Sequence, residues 1–187
     1  MIQIYKYGEV PNSEIFARES ATDHVADVVA GIIADVRANG DKALFAYTKK
    51  FDKADLASFE VTQAEIDEAF AAIGPEFVAI LEEAAENIRT YHSQQVRRNF
   101  IISEKDGVVL GQKITPIARV GMYVPGGTAA YPSTVLMNTV PAKIAGCLQL
   151  ITVTPPGADG KVDPAILAAA KVAGADRIFK VGGAQAI

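Results

Sequence analysis

Three short runs hold the residue types able to do chemistry in this chain, and each reads as a turn at the end of a strand. They are Tyr123-Val124-Pro125-Gly126-Gly127, Thr154-Pro155-Pro156-Gly157 and Val181-Gly182-Gly183-Ala184-Gln185. Where a strand stops at a glycine-rich turn and a helix begins, the helix directs unpaired N–H groups into the crevice that parallel strands open at their carboxyl ends. A long flat ligand crossing the three turns would meet backbone donors, the ring face of Tyr123 for stacking, and the Gln185 carboxamide with two donors and an acceptor. A second reading stands beside this one: the glycines merely permit tight turns, and Tyr123 is a core residue at a strand end. The pattern also departs from the usual dinucleotide fingerprint. Gly126-Gly127-Thr128-Ala129-Ala130 is not Gly-x-Gly-x-x-Gly, and no acidic residue closes the second strand for a ribose.

Other chemistries find little support. His24 and His92 each lie apart from Cys, Asp or Glu at ligand spacing, so neither is a candidate metal ligand. Cys147 has no second cysteine to pair with, which fits a reducing compartment. The net charge is −4 and the basic pair Arg97-Arg98 reads as a solvated helix end, so no nucleic-acid surface is marked. The N-terminus lacks a basic segment followed by an apolar one, and no apolar run approaches the roughly 18 residues of a membrane span. A cytoplasmic protein without membrane or nucleic-acid partners is expected.

The elements that must position the three turns follow from periodicity. Residues 1–20 show little of it and read as an arm with one short strand. From a Thr22 cap, Val25, Val28, Val29, Ile32, Ile33 and Val36 recur at helical steps up to Asn39-Gly40. Asp41 caps a second helix, Thr62-Gln63-Ala64-Glu65 is a capping box for a third, and Gly74-Pro75 opens a fourth. That fourth helix runs to about Val96, its apolar face formed by Phe77, Ile80, Leu81, Ala84, Ile88 and Tyr91. A hairpin follows, with Ser103-Glu104-Lys105-Asp106 at its tip. Then strands at 119–124, 148–154 and 177–181 alternate with helices at 133–146, capped by the Ser133-Thr134 pair, and 163–173, where Asp163-Pro164 supplies the cap and first-turn proline and Gly174 the stop. Pro141 should kink or break the first of these helices. The near-continuous apolar strands point to a parallel sheet covered by helices on both faces.

The fold class is therefore α/β: a helical N-terminal part with a short hairpin over residues 1–118, then from 119 to 187 a βαβαβ unit, half of a doubly wound, Rossmann-like sheet incomplete at its C-terminal side. Charge divides at nearly the same place, with 13 basic and 19 acidic side chains in residues 1–122 against five and three in residues 123–187. A sheet cut after its third strand leaves the 177–181 edge open, so self-association is expected through that edge or through the arm at residues 1–20.

The two glycine phrases resemble those of histidinol dehydrogenases, together with Pro141-Ala142-Lys143-Ile144-Ala145-Gly146-Cys147, Asn39-Gly40-Asp41-Lys42-Ala43-Leu44 and Thr154-Pro155-Pro156. The resemblance runs from about Ile32 to the last residue. It implies an oxidoreductase of histidine biosynthesis that converts L-histidinol to L-histidine through the aldehyde with two NAD. It further implies a zinc ion that holds the substrate, and a homodimer. Tyr123 and Gln185 match positions that contact NAD. The family's zinc ligands, acid/base pair and substrate carboxylate match nothing before the last residue, so no catalytic or metal residue is assigned, and the chain by itself is expected to be inactive. A related dehydrogenase acting on another alcohol shares these motifs, and a non-catalytic nucleotide-binding module is the reading from a different class.

Overall fold

Residues 4–16, 25–126 and 130–187 are described in the computed structural model. Three consecutive strands form its parallel sheet: β3 (Arg119–Tyr123), β4 (Gln149–Thr154) and β5 (Arg177–Lys180), in the order β3-β4-β5. Register places Tyr123 beside Val153, and Val153 beside Phe179. The connecting helices are α6 (Pro132–Ile144) and α7 (Pro164–Ala173), and they pack on each other. Covering both faces, as expected from the sequence, is not what they do. Two right-handed crossovers progressing in one direction along a sheet put both helices on the same face.

That face contains Met122, Leu150, Thr152, Thr154, Ile178 and Lys180, all buried. The alternate residues Ile151, Val153 and Phe179 are half-buried. They lie on the side where α3 (Asp41–Phe51) presents Leu44 and Phe45, with Phe45 stacked on Phe59 at 4.0 Å between ring centroids. The strands read as apolar throughout for this reason: one face is sealed by α6 and α7 and the other partly by α3.

The core does not stop at the change in charge. Val61, Ala69 of α4 (Gln63–Ala72), and Leu81 and Ala85 of α5 (Gly74–Ser93) share it with Val124, Leu136, Ile166 and Ile178. Only part of the predicted α5 stripe is buried, since Ile80 and Tyr91 are 60% and 66% exposed. The same is true of α2 (Val25–Asn39), where Ile32 alone is buried while Val25, Val28 and Ile33 face outward.

The edge of β5 is not open. Val61 N–H donates to the Ile178 carbonyl at 2.9 Å and Lys180 N–H to the Phe59 carbonyl at 2.7 Å, so residues 59–61 run antiparallel along it. Arg177 adds a fork pair to Glu60, both bonds 2.7 Å. Self-association through that edge loses its basis, because the chain pairs the strand itself.

Several boundaries move. A helical turn, α1 (Asn12–Ile15), stands where a strand was expected in the arm, and no strand occurs among described residues 4–16. Thr22 lies outside the described residues. Gly40, at φ 54°, takes the N-cap position of α3 and leaves Asp41 as its first residue. α5 ends at Ser93, short of Val96. The hairpin strands β1 (Phe100–Lys105) and β2 (Val108–Gln112) extend through the expected tip, and the turn is at Asp106-Gly107 with Gly107 at φ 74°. Only glycine adopts that conformation cheaply. α6 starts at Pro132 rather than at the Ser/Thr pair, with no side-chain cap, and continues past Pro141 unbroken. Two sequence signatures hold in full. Thr62 and Glu65 make both bonds of the capping box, and Asp163 caps α7 ahead of its first-turn proline, with Gly174 in the left-handed conformation at its end.

Candidate cofactor site

The three turns converge at the carboxyl edge of the sheet, and Pro155 is where they meet. A Cβ added to Gly182 would come within 2.6 Å of the Pro155 Cβ, and one added to Gly126 within 2.9 Å of Thr154 Oγ1 and 3.1 Å of the Pro155 carbonyl oxygen. These two glycines let the turns close on one another. Their absence of side chains is thus explained by packing among the turns, as the plainer sequence reading had it.

Gly183 is different. It has φ 67°, its N–H donates to the Tyr123 hydroxyl at 2.9 Å, and the Gln185 carboxamide lies 2.7 to 3.0 Å from where its Cβ would be. The bond joins the end of β3 to the turn after β5, across β4. Tyr123 is half-buried. Its oxygen accepts one bond and keeps its own O–H to give, and an accepted bond strengthens the donation.

Gln185 sits in a 3-10 turn (Ala184–Ala186) that packs against α2 and α3. It is 6% exposed, and its Oε1 is buried with no hydrogen-bond partner among the described residues. An unsatisfied buried acceptor costs about 1–3 kcal/mol, so a position like this calls for a donor. Sequence reasoning brought Tyr123 and Gln185 to one edge. It did not anticipate the Gly183 N–H, already satisfied by Tyr123, that links them. Gly127, the second glycine of the first turn, lies outside the described residues.

On the α7 side a cavity of about 280 Å³ lies between Gly126, Pro155, Gly157, Asp159 and Lys161, next to the start of α7. Asp163 Oδ1 is occupied by Ala165 N–H at 2.8 Å and Asp159 Oδ1 by Lys161 N–H at 3.0 Å. Lys161 is turned toward Glu68 at 3.1 Å, so among the described residues lining this cavity no free cation faces a phosphate.

Beneath the last turn, Lys180 pairs with Glu65, whose other oxygen accepts from Thr62 N–H at 2.8 Å and from the Thr62 hydroxyl at 3.0 Å. Burial pushes the Glu65 carboxyl up, but the bonds from Lys180 and Thr62 outweigh it and hold the group below the ordinary glutamate range. The Arg177 guanidinium likewise holds Glu60 down. A lysine at an inward-facing position of an apolar strand was the available signal for the Lys180 pair.

A metal has no home in these residues: among those described, no three His, Cys, Asp or Glu lie close enough to hold one. His92 places its Nδ1 2.6 Å from Gln95 Oε1. No described helix is long and apolar enough to cross a membrane.

Comparison with known proteins bears on the family and the fold. The family model described as histidinol dehydrogenase matches residues 16–187, which extends the resemblance upstream of Ile32. Histidinol dehydrogenase of Methanosarcina mazei is 52% identical over 180 residues, covering 96% of this chain and 42% of that relative. The Heliobacterium mobile enzyme is 46% identical over 190 residues, covering 100% of this chain and 45% of its own length. The crystal structure of histidinol dehydrogenase from Elizabethkingia anophelis superposes with a TM-score of 0.85 at 39% identity, over 91% of this chain and 39% of that one. The chain therefore spans about two fifths of the length of the proteins it matches, and it belongs to the histidinol dehydrogenase family.

Proposed function

We propose that this chain is the N-terminal portion of a cytoplasmic, homodimeric histidinol dehydrogenase, an oxidoreductase of histidine biosynthesis that takes L-histidinol to L-histidine with two NAD. Within it, Tyr123 and Gln185 contact the cofactor. NAD, when bound, supplies the hydride acceptor, and this chain contributes binding and orientation. The observation that supports this most is the buried Gln185 Oε1, without a partner among the described residues, at the same strand edge as the Tyr123 hydroxyl. A cofactor hydroxyl or amide donor would satisfy it. Zinc does not fit the described residues, so no step is assigned to it here, and residues 1–187 alone are inactive.

Half a cleft binds weakly. A millimolar constant corresponds to about −4 kcal/mol. Titration of the chain with NAD, followed by amide chemical shifts, should move Gln185 and Gly183 first. Gln185→Ala should weaken binding by about 0.5–1.5 kcal/mol, the size of one hydrogen bond. Shifts confined to other regions would sink the assignment. NADH production by the purified chain supplied with zinc, NAD and L-histidinol would overturn the claim of inactivity.

A further inference from the structure

We propose that Lys180 is a positioning residue for the turn from Gly182 to Gln185, acting through Glu65 and the α4 capping box; this rests on the cofactor reading above. Lys180 is the last residue of β5 and 9% exposed, on the face that carries Ile178. Its main chain and its side chain are held by the same short segment. The N–H donates to the Phe59 carbonyl at 2.7 Å, and the ammonium binds Glu65 Oε1. Glu65 in turn has its second oxygen filled by the Thr62 N–H and hydroxyl. Both carboxylate oxygens are thus committed, and the ammonium is directed to one point.

Stability alone is a poor reason for this arrangement. Taking an ammonium and a carboxylate out of water offsets most of their attraction, and an apolar chain of equal length often serves as well. What an apolar chain lacks is a directed bond that fixes where β5 ends. Only Val181 and Gly182 separate Lys180 from Gly183, and Gly182 lies so close to Pro155 that an added Cβ would come within 2.6 Å of the proline Cβ. A displacement of Lys180 therefore passes to the Gly183 N–H and to its bond with Tyr123. The sheet end is thereby fixed from outside by a helix cap of the N-terminal half.

The test compares Lys180→Met with Tyr123→Phe in this chain by amide NMR. Tyr123→Phe removes the acceptor and defines where the Gly183 amide resonance falls when its bond is lost. Lys180→Met should move that resonance toward the same position, leave the amide of Leu150 in the centre of β4 where it was, and add nothing further in the double variant. Lys180→Arg, which keeps the charge and a donor, should restore most of the native position. Should Lys180→Met fold poorly, Glu65→Gln reports on the same link from its other end and should shift Gly183 in the same direction. An unmoved Gly183 resonance, or a uniform change across core amides, overturns the proposal. The NAD titration fails independently: absence of cofactor shifts at Gly183 and Gln185 in the native chain removes the cofactor reading and leaves the positional result standing.

Discussion

Two parts of this chain are built from paired strands rich in apolar residues, and they end in opposite states. In the β3-β4-β5 unit the even face is buried: Leu150 is 0% exposed, and Met122 and Ile178 are below 10%. In the β1-β2 hairpin every residue of both strands is exposed, including Ile101 at 77% and Val109 at 70%. The ladders are equally regular apart from one irregularity between Ile102 and Lys105. Pairing alone therefore does not make a core. What differs is that α6 and α7 return across one face of the parallel unit, whereas among the described residues nothing of comparable extent lies over the hairpin. At its base the Asn99 side chain accepts from Ile114 N–H at 2.6 Å.

The contrast is sharpened most by deleting the same kind of atoms in both regions. Leu150→Ala removes a fully buried side chain from the central strand and should destabilise the chain by about 2–5 kcal/mol in urea unfolding. A cost under 1 kcal/mol would mean that the helical face is loosely packed.

Next in size are the bonds that tie the parallel unit to the rest. Thr62→Ala removes the hydroxyl that accepts from Glu65 N–H and donates to the Glu65 carboxylate, while the residue-62 N–H keeps its own bond to that carboxylate, and should cost about 1 kcal/mol. Tyr123→Phe leaves the Gly183 N–H without its partner, and should cost about 0.5–1.5 kcal/mol. Thermal melts of the two variants side by side check both.

Why these features differ in legibility can be argued residue by residue. The capping box, the Asp163 cap and the Gly174 stop were readable because each depends on side chains within a few positions of one another. Tyr123 and Gln185 were placed at one edge because parallel βαβ topology sends every strand end there. Three things were not readable. The segment 59–61 lies against β5 more than a hundred positions away, and nothing local in Phe59-Glu60-Val61 announces a strand. The helix caps at Gly40 and Tyr131 depend on backbone conformation rather than on the nearby Asp41 or Ser133. Which apolar stripes would be covered, those of α2 and the hairpin or those of α7, depends on neighbours that periodicity cannot name.

Acid should distinguish the regions as well. Glu60, Glu65 and Asp67 have carboxyls held below their ordinary values by Arg177, Lys180 and Lys171, and all three join the N-terminal half to the parallel unit. A carboxyl whose folded pKa is depressed contributes stability above its unfolded pKa, about 4.3 for Glu and 3.9 for Asp. That contribution is lost as pH falls from there through the lower folded value. The hairpin acids Glu104 and Asp106 join no such pair among the described ion pairs. Glu65→Gln should therefore flatten the decline in melting temperature below about pH 4.5 more than Glu104→Gln does. Equal slopes for the two variants would show that the Lys180 link contributes nothing to acid stability.

The smallest effects belong to the hairpin itself. Ile101→Thr and Val109→Thr keep a β-branched side chain, so local strand preference changes little. Each replaces a methyl-bearing group that is at least 70% exposed, so little apolar burial is lost in the folded state. Substitutions at such surface positions stay within about ±0.5 kcal/mol, roughly a tenth to a quarter of the Leu150 effect. A two-stranded hairpin with neither face covered is only marginally stable, so its own strands are the first that should exchange amide protons, ahead of β4. The measurement is unfolding free energy together with amide exchange in Ile101→Thr and Val109→Thr. A loss above 1 kcal/mol from either would show that these side chains are buried in solution against another surface, and the comparison between a covered and an uncovered ladder would no longer hold.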